Sequence, residues 1–160
     1  AIQSFTGAAR RLELVARTPN AVCFKDFAHA PSKLKATLAA VKKQFANYRI
    51  IATVELHTFS SLNEDFLIQY RGTAQDADYL LVYFNPKVIE HKKLKPISPQ
   101  FVKACFNSDR VQVVTDTNLW LNTLTEKWTN IQGNKVLLLM TSGNFDGVNL
   151  DELGKSLLEK

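Results

Sequence analysis

The sequence is bounded first by what it lacks. No apolar run approaches the ~20 residues that a membrane-spanning helix needs, and no charged-then-apolar leader opens the chain. There are two cysteines, Cys23 and Cys105, both in apolar surroundings and without CxxC spacing. They read as core thiols in a reducing compartment more than as a disulfide or metal site. The three histidines, His29, His57 and His91, have no zinc-type spacing, so no metal site is expected from this chain alone. The six glycines form neither G-x-x-x-x-G-K-[ST] nor G-x-G-x-x-G. If the chain handles a nucleotide, the phosphate cradle lies elsewhere. No G-x-S-x-G elbow supports a Ser-His-Asp triad. Repeats and low-complexity stretches are absent. The chain starts at Ala1 and its one methionine is Met140, which reads as a processed or cloned piece of a longer gene product.

What is present describes an ordinary globule. A chain of 160 residues makes one domain, and 46% hydrophobic against 22% charged residues excludes a disordered chain. A net charge of +5 favours anionic ligands. The lysines are dispersed, however, with short pairs only at Lys42-Lys43 and Lys92-Lys93. Most read as solvated helix faces, and no aromatic-interleaved basic stripe points to nucleic acid.

Strand and helix patterns alternate along the chain. Arg11–Arg17 alternates polar and apolar residues, as a half-buried strand does, and Ala21–Phe24 is a short apolar run. Leu34, Leu38, Val41 and Phe45 share one face of a helix over about 32–45. Tyr48–Leu56 reads as a strand, and Ser61 with Glu64 has the spacing of a capping box that starts a second helix. Tyr79–Phe84 is a strongly apolar strand ended by Asn85-Pro86, and Pro86 to Pro99 reads as a Lys-rich surface connection. Ser98-Pro99 is an N-cap followed by proline at N1, opening a helix that buries Phe101, Val102, Cys105 and Phe106. Val111–Thr115 is a strand, and Leu121, Leu124 and Trp128 mark the next helix. Lys135–Met140 is apolar on both faces and belongs at the centre of a parallel sheet. Asn149 with Glu152 caps a last helix carrying Leu150, Leu153 and Leu157. The alternation predicts an α/β fold: a three-layer, Rossmann-like domain with a mostly parallel sheet of about six strands, an antiparallel strand at one edge, and helices on both faces.

In such sheets ligands bind beyond the carboxyl ends of the strands. Four loops are expected there. The first is the β-to-α junction Lys25-Asp26-Phe27-Ala28-His29-Ala30-Pro31-Ser32-Lys33, and the second is His57-Thr58-Phe59-Ser60-Ser61-Leu62-Asn63. The third is Asn85-Pro86, and the fourth is Thr141-Ser142-Gly143-Asn144-Phe145-Asp146-Gly147. Each also has a plainer reading. Asp26 can cap a turn and His29 can be a satisfied, half-buried histidine. Ser60, Ser61 and Asn63 can simply start a helix, the stronger reading for Ser61. Gly143 and Gly147 can serve a turn with positive φ.

Three segments resemble the C-terminal domain of the Mur ligases, the ATP-dependent amide ligases of bacterial peptidoglycan synthesis. They are Gly7-Ala8-Ala9-Arg10-Arg11-Leu12-Glu13, Asp26-Phe27-Ala28-His29-Ala30-Pro31 and Gly143-Asn144-Phe145-Asp146-Gly147, in the family's order. The resemblance implies two further domains absent from this chain: an N-terminal one for the UDP-sugar and a central ATPase domain holding most of the ATP and Mg2+. This third domain would close onto the central one and bind the amine substrate. By motif position, Arg11 and Asp26 would contact the base-ribose side of ATP, and His29 would face the reacting groups as the catalytic candidate. His57, Thr58, Ser60, Ser61 and Asn63, with Ser142, Gly143, Asn144 and Phe145, would shape the amine-substrate pocket. The implied setting is the cytoplasm, without nucleic acid or membrane as partner.

One departure bears on the acceptor. The family's L-alanine ligases carry Pro-His-Arg-Tyr-(Thr/Ser)-Arg after the second parallel strand, where this chain has Leu56-His57-Thr58-Phe59-Ser60-Ser61. Loss of both arginines resembles the branch that attaches the recycled tripeptide L-alanyl-γ-D-glutamyl-meso-diaminopimelate to UDP-N-acetylmuramate. The L-alanine branch and a stand-alone small-anion-binding module are the alternatives.

Overall fold

The computed structural model describes residues 12–28, 30–143 and 145–160. The chain opens with a hairpin of β1 (Glu13–Thr18) and β2 (Ala21–Asp26). The chain then alternates: α1 (Pro31–Gln44), β3 (Arg49–Glu55), α2 (Glu64–Leu67, continued as a 3-10 turn over Ile68–Tyr70) and β4 (Tyr79–Tyr83). Next come α3 (Pro86–His91), α4 (Pro99–Phe106), β5 (Val111–Val114), α5 (Thr117–Asn130), β6 (Lys135–Met140) and α6 (Leu150–Leu158). The six strands form one sheet in the order β1-β2-β6-β3-β4-β5. Only the β1–β2 pair is antiparallel. The expected architecture, its antiparallel edge and the central place of Lys135–Met140 are all borne out.

The period-2 alternation of the strands sorts side chains between two cores. Along β6, Val136, Leu138 and Met140 join Leu34, Leu38 and Val41 of α1, Tyr70, and Val102 and Phe106 of α4. Leu137 and Leu139 point the other way, to Trp120, Leu124 and Trp128 of α5 and Leu157 of α6. Both tryptophans satisfy their indole N–H groups inside that second core. Trp120 Nε1 donates to Thr53 Oγ1 at 2.8 Å, and Trp128 Nε1 donates to the Leu157 carbonyl at 2.8 Å. The edge strand β1 is partly exposed and broken by a register shift between Leu14 and Ala16, as edge strands exposed to pairing commonly are.

Two local expectations are corrected. Ser61 does not start the second helix. Asn63 does, its side-chain oxygen accepting from the N–H groups of Asp65 at 2.8 Å and Phe66 at 3.3 Å. The stretch from Pro86 to Pro99 is not only a connection. Its first turns form α3, capped by Asn85 Oδ1 on the Lys87 N–H, with Ile89 buried. Proline at N1 supplied the start signal there, and the short lysine-rich sequence hid it.

Candidate functional site

Five parallel strands put their carboxyl ends at one rim. Asp26 of β2 and Val54 of β3 both register with Met140 of β6, and Glu55 registers with Tyr83 of β4. β6 enters last, between strands laid down early, so the loops after β2, β3 and β6 meet at the middle of the rim. That is the place where open α/β sheets bind ligands. The expected four loops converge there, joined by the start of α5 after β5.

On the β2 side, Asp26 is buried at 6% exposure. Its Oδ2 accepts from Thr37 Oγ1 of α1 at 2.9 Å, while Oδ1 is buried without a hydrogen-bond partner among the described residues. A buried carboxylate oxygen in that state calls for a donor. Asp26 lines a cleft of about 220 Å³ with the exposed ring of Phe27, Thr141, Gly143, Val148 and Leu150. Lys25, at its mouth, is not a free cation. Its Nζ lies 3.1 Å from Asp151 and 3.6 Å from Glu13. The hydrogen bond to Asp151 is the main cause that raises its pKa above the ordinary lysine value.

At the centre stands Glu55, buried at 3% exposure. Oε1 accepts from the Thr141 hydroxyl and from the Phe145 N–H, the latter at 2.8 Å. Oε2 lies 3.8 Å from His57 Nδ1. Sequence reasoning missed this residue. The available signal was a lone carboxylate at the end of a largely apolar strand.

The loop after β3 is held largely by its own hydroxyls. Ser61 Oγ accepts from the Thr58 N–H at 3.0 Å and lies 2.9 Å from Thr58 Oγ1, which accepts from the Ser61 N–H at 3.1 Å. Ser61 is buried, Ser60 is exposed, and His57 is half-buried. Lys92 lies 4.3 Å above the exposed Phe59 ring. Asn63 has its side-chain oxygen committed to the α2 cap, as described above.

The loop after β6 is fixed from three directions. The Gly143 N–H donates to Thr141 Oγ1 at 2.7 Å. The ring of Phe145 is fully buried, stacked on Trp120 with centroids 4.4 Å apart and 13° between planes. Asp146 Oδ2 accepts from Asn85 Nδ2 and Thr117 Oγ1, both at 3.3 Å. Phe145, Asp146 and Gly147 have φ of 48°, 62° and 90°, three successive residues in the left-handed region. Such backbone persists only where its surroundings over-determine it. The ring of Phe145 is therefore a core group, and what Phe145 presents at the rim is its backbone. Ser142 Oγ is buried and has no hydrogen-bond partner among the described residues. Arg11, His29 and Asn144 lie outside the described residues.

Among the described residues no helix is long and apolar enough to cross a membrane. No group of three or more His, Cys, Asp or Glu among them could hold a metal ion.

No family model matches the chain. Over 82 residues, 51% of this chain and 18% of the relative, it is 38% identical to the UDP-N-acetylmuramate–L-alanine ligase of Caldicellulosiruptor bescii. The chain spans about a fifth of the length of the curated relatives it matches. Its fold is shared by a murein peptide ligase of Psychrobacter arcticus, with a TM-score of 0.66 and 22% identity over 94% of this chain and 29% of that one. It is also shared by a domain ascribed to a UDP-N-acetylmuramate:L-alanyl-γ-D-glutamyl-meso-diaminopimelate ligase of Haemophilus ducreyi. There the TM-score is 0.63 and the identity 23%, over 92% of this chain and 99% of that one. In sequence over half its length, and in fold over nearly all of it, this chain is similar to the Mur ligases, and it has the architecture of a Mur ligase C-terminal domain.

Proposed function

We propose that this chain is the C-terminal domain of an ATP-dependent amide ligase. The enzyme would join UDP-N-acetylmuramate to the recycled murein tripeptide L-alanyl-γ-D-glutamyl-meso-diaminopimelate. The observation that carries the reading is the incomplete rim. A cleft with a buried carboxylate oxygen on Asp26, unpartnered among the described residues, stands in a sequence that has no phosphate-binding loop. A carboxylate of this kind suits the hydroxyls of a ribose, with the apolar wall of Phe27 and Leu150 beside it for a base. We assign the triphosphate and its Mg2+ to the central domain that the resemblance implies, since this sequence carries no phosphate-binding loop motif.

ATP supplies the phosphoryl group that turns the muramate carboxylate into an acyl phosphate. The amine then attacks the acyl carbon, the C–N bond forms, phosphate leaves with the C–O electrons, and the nitrogen gives up a proton. This chain's part is positional. We assign Asp26 and Arg11 to holding the nucleoside and His29 to the reacting groups. His57, Thr58, Ser60, Ser61 and Asn63 form one wall of the acceptor pocket, with Ser142, Gly143, Asn144 and the anchored backbone of Phe145 forming the other. Closure of the domain excludes water from a hydrolysable intermediate. The setting is the cytoplasm.

The tripeptide is preferred because both arginines of the L-alanine branch are missing and the exposed Ser60 leaves room. The curated relatives support the second reading, an L-alanine ligase. The deciding experiment compares the two acceptors in the full-length enzyme. The tripeptide should exceed L-alanine in kcat/KM, and the reverse order makes this the L-alanine enzyme. Asp26→Ala should raise the KM for ATP and leave the acceptor KM nearly unchanged. Residues 1–160 alone should form no amide, and turnover by them would refute the assignment. A stand-alone anion-binding module would bind phosphate or a nucleotide without any companion domain.

A further inference from the structure

Glu55 is singled out by neither motif nor resemblance, yet it stands at the point where the acceptor loops meet. A carboxyl group buried this deeply needs donors; Oε1 has two, and its two oxygens lie against different loops. Oε1 holds the loop after β6 through the Thr141 hydroxyl and the Phe145 N–H. Oε2 faces Nδ1 of His57, which belongs to the loop after β3 and is half open to solvent. The approach of the loops is as close as glycine permits. A Cβ on Gly143 would lie 3.0 Å from Glu55 Oε1 and 3.1 Å from His57 Cγ. The left-handed backbone of Phe145 and Asp146 needs fixed anchors, and Glu55 supplies one on the main chain, at the Phe145 N–H. Others act on the Phe145 ring and the Asp146 carboxylate.

We propose that Glu55 is the positioning residue of the acceptor pocket: one oxygen fixes the loop after β6, the other orients His57 toward an amine-bearing acceptor, and a single buried carboxylate thereby sets both walls. The identity of the acceptor rests on the ligase reading, whereas the positioning does not. Glu55 touches no substrate itself and acts through Thr141, Phe145 and His57.

Two substitutions separate its two oxygens. Glu55→Gln keeps an acceptor for Thr141 and Phe145 but removes the charge facing His57. Glu55→Ala removes both, and Glu55→Met fills the volume without accepting a hydrogen bond where the alanine variant does not fold. In the 160-residue chain, amide hydrogen exchange of Phe145 should be slow in wild type and E55Q. It should be about tenfold faster or more in E55A or E55M, with the Leu137 and Leu139 amides of β6 unchanged as the folding control. In the full-length enzyme, E55Q should raise the acceptor KM about tenfold while the KM for ATP stays within about twofold. His57→Gln should do the same, and the double variant should be no worse than either. Wild-type exchange at Phe145 in both E55A and E55M overturns the loop half of the proposal. A wild-type acceptor KM in E55Q, or losses that multiply in the double variant, overturns the His57 half. If the wild-type full-length enzyme forms no amide with either acceptor, the ligase reading and the His57 half both fall, and the exchange data still decide the loop half.

Discussion

Phe145 offers a test with two independent signs. Its side chain is fully buried against Trp120 and Tyr83, while its backbone sits at φ 48°. Phe145→Ala keeps a Cβ, so the backbone strain is unchanged and only packing is lost. A buried Phe→Ala change costs about 3–5 kcal/mol, which in a chain of this length lowers Tm by roughly 6–20 °C. Phe145→Gly removes the same ring and also the Cβ. At an ordinary φ, glycine would be about 0.5–1 kcal/mol worse than alanine. In the left-handed region the Cβ itself costs about 1–2 kcal/mol, so here glycine should be the better of the two by about 0.5–1 kcal/mol. The assay is urea unfolding of both variants at pH 7, with tryptophan emission reporting the loss of the ring from Trp120. A cost below about 1 kcal/mol for the alanine variant would refute the packing claim. A glycine variant less stable than the alanine one would refute the left-handed backbone, whatever the packing result.

Two further outcomes follow from the second core. Burial, with a smaller contribution from the Asp151 carboxylate, pushes the Cys23 thiol up to about 12. The folded chain therefore holds that proton after the unfolded chain has released it. Stability is whole below about pH 9 and falls as the pH rises toward 12. By pH 10.5 Cys23 should account for about 2 kcal/mol, measured as the difference in urea stability between wild type and Cys23→Ala relative to pH 7. Parallel pH profiles for the two would refute it. Gly154 of α6 lies against the sheet so closely that a Cβ would sit 2.7 Å from both Cys23 Sγ and Val15 Cγ1. Gly154→Ala should cost about 1–3 kcal/mol by overpacking, and the double variant with Cys23→Ala should lose less than the two separate losses combined. Full additivity would show that Cys23 does not limit the approach of the helix there.

The fold was legible because strands and helices here differ in period. Lys135–Met140, apolar on both faces, announces a central parallel strand, and it lies between β2 and β3. Ser98-Pro99 and Asn149 with Glu152 announce helix starts, and both caps are made as expected. Ser61 misled because a Ser three residues before Glu fits a capping box. Its hydroxyl instead closes a turn with Thr58, and the competing cap two residues later, Asn63, took the helix. Local polar residues have several backbone partners within reach, and the sequence does not say which one wins.

Glu55 was illegible for a different reason. On β3 alone it is a polar residue where an apolar strand ends, the usual place for one. Its meaning depends on β6, which reaches the sheet 80 residues later and brings Thr141 and the Phe145 N–H to its carboxylate. The same late insertion gives Gly143 its role. In sequence it reads as a turn glycine, but in the fold its missing side chain makes room for Glu55 and His57. Gly143→Ala should therefore behave like a change at Glu55, not like a turn defect. Its added methyl must displace either the carboxylate or the imidazole, so the loss should fall on the acceptor KM and spare the KM for ATP. An equal rise in both constants would mean that the glycine serves the backbone alone.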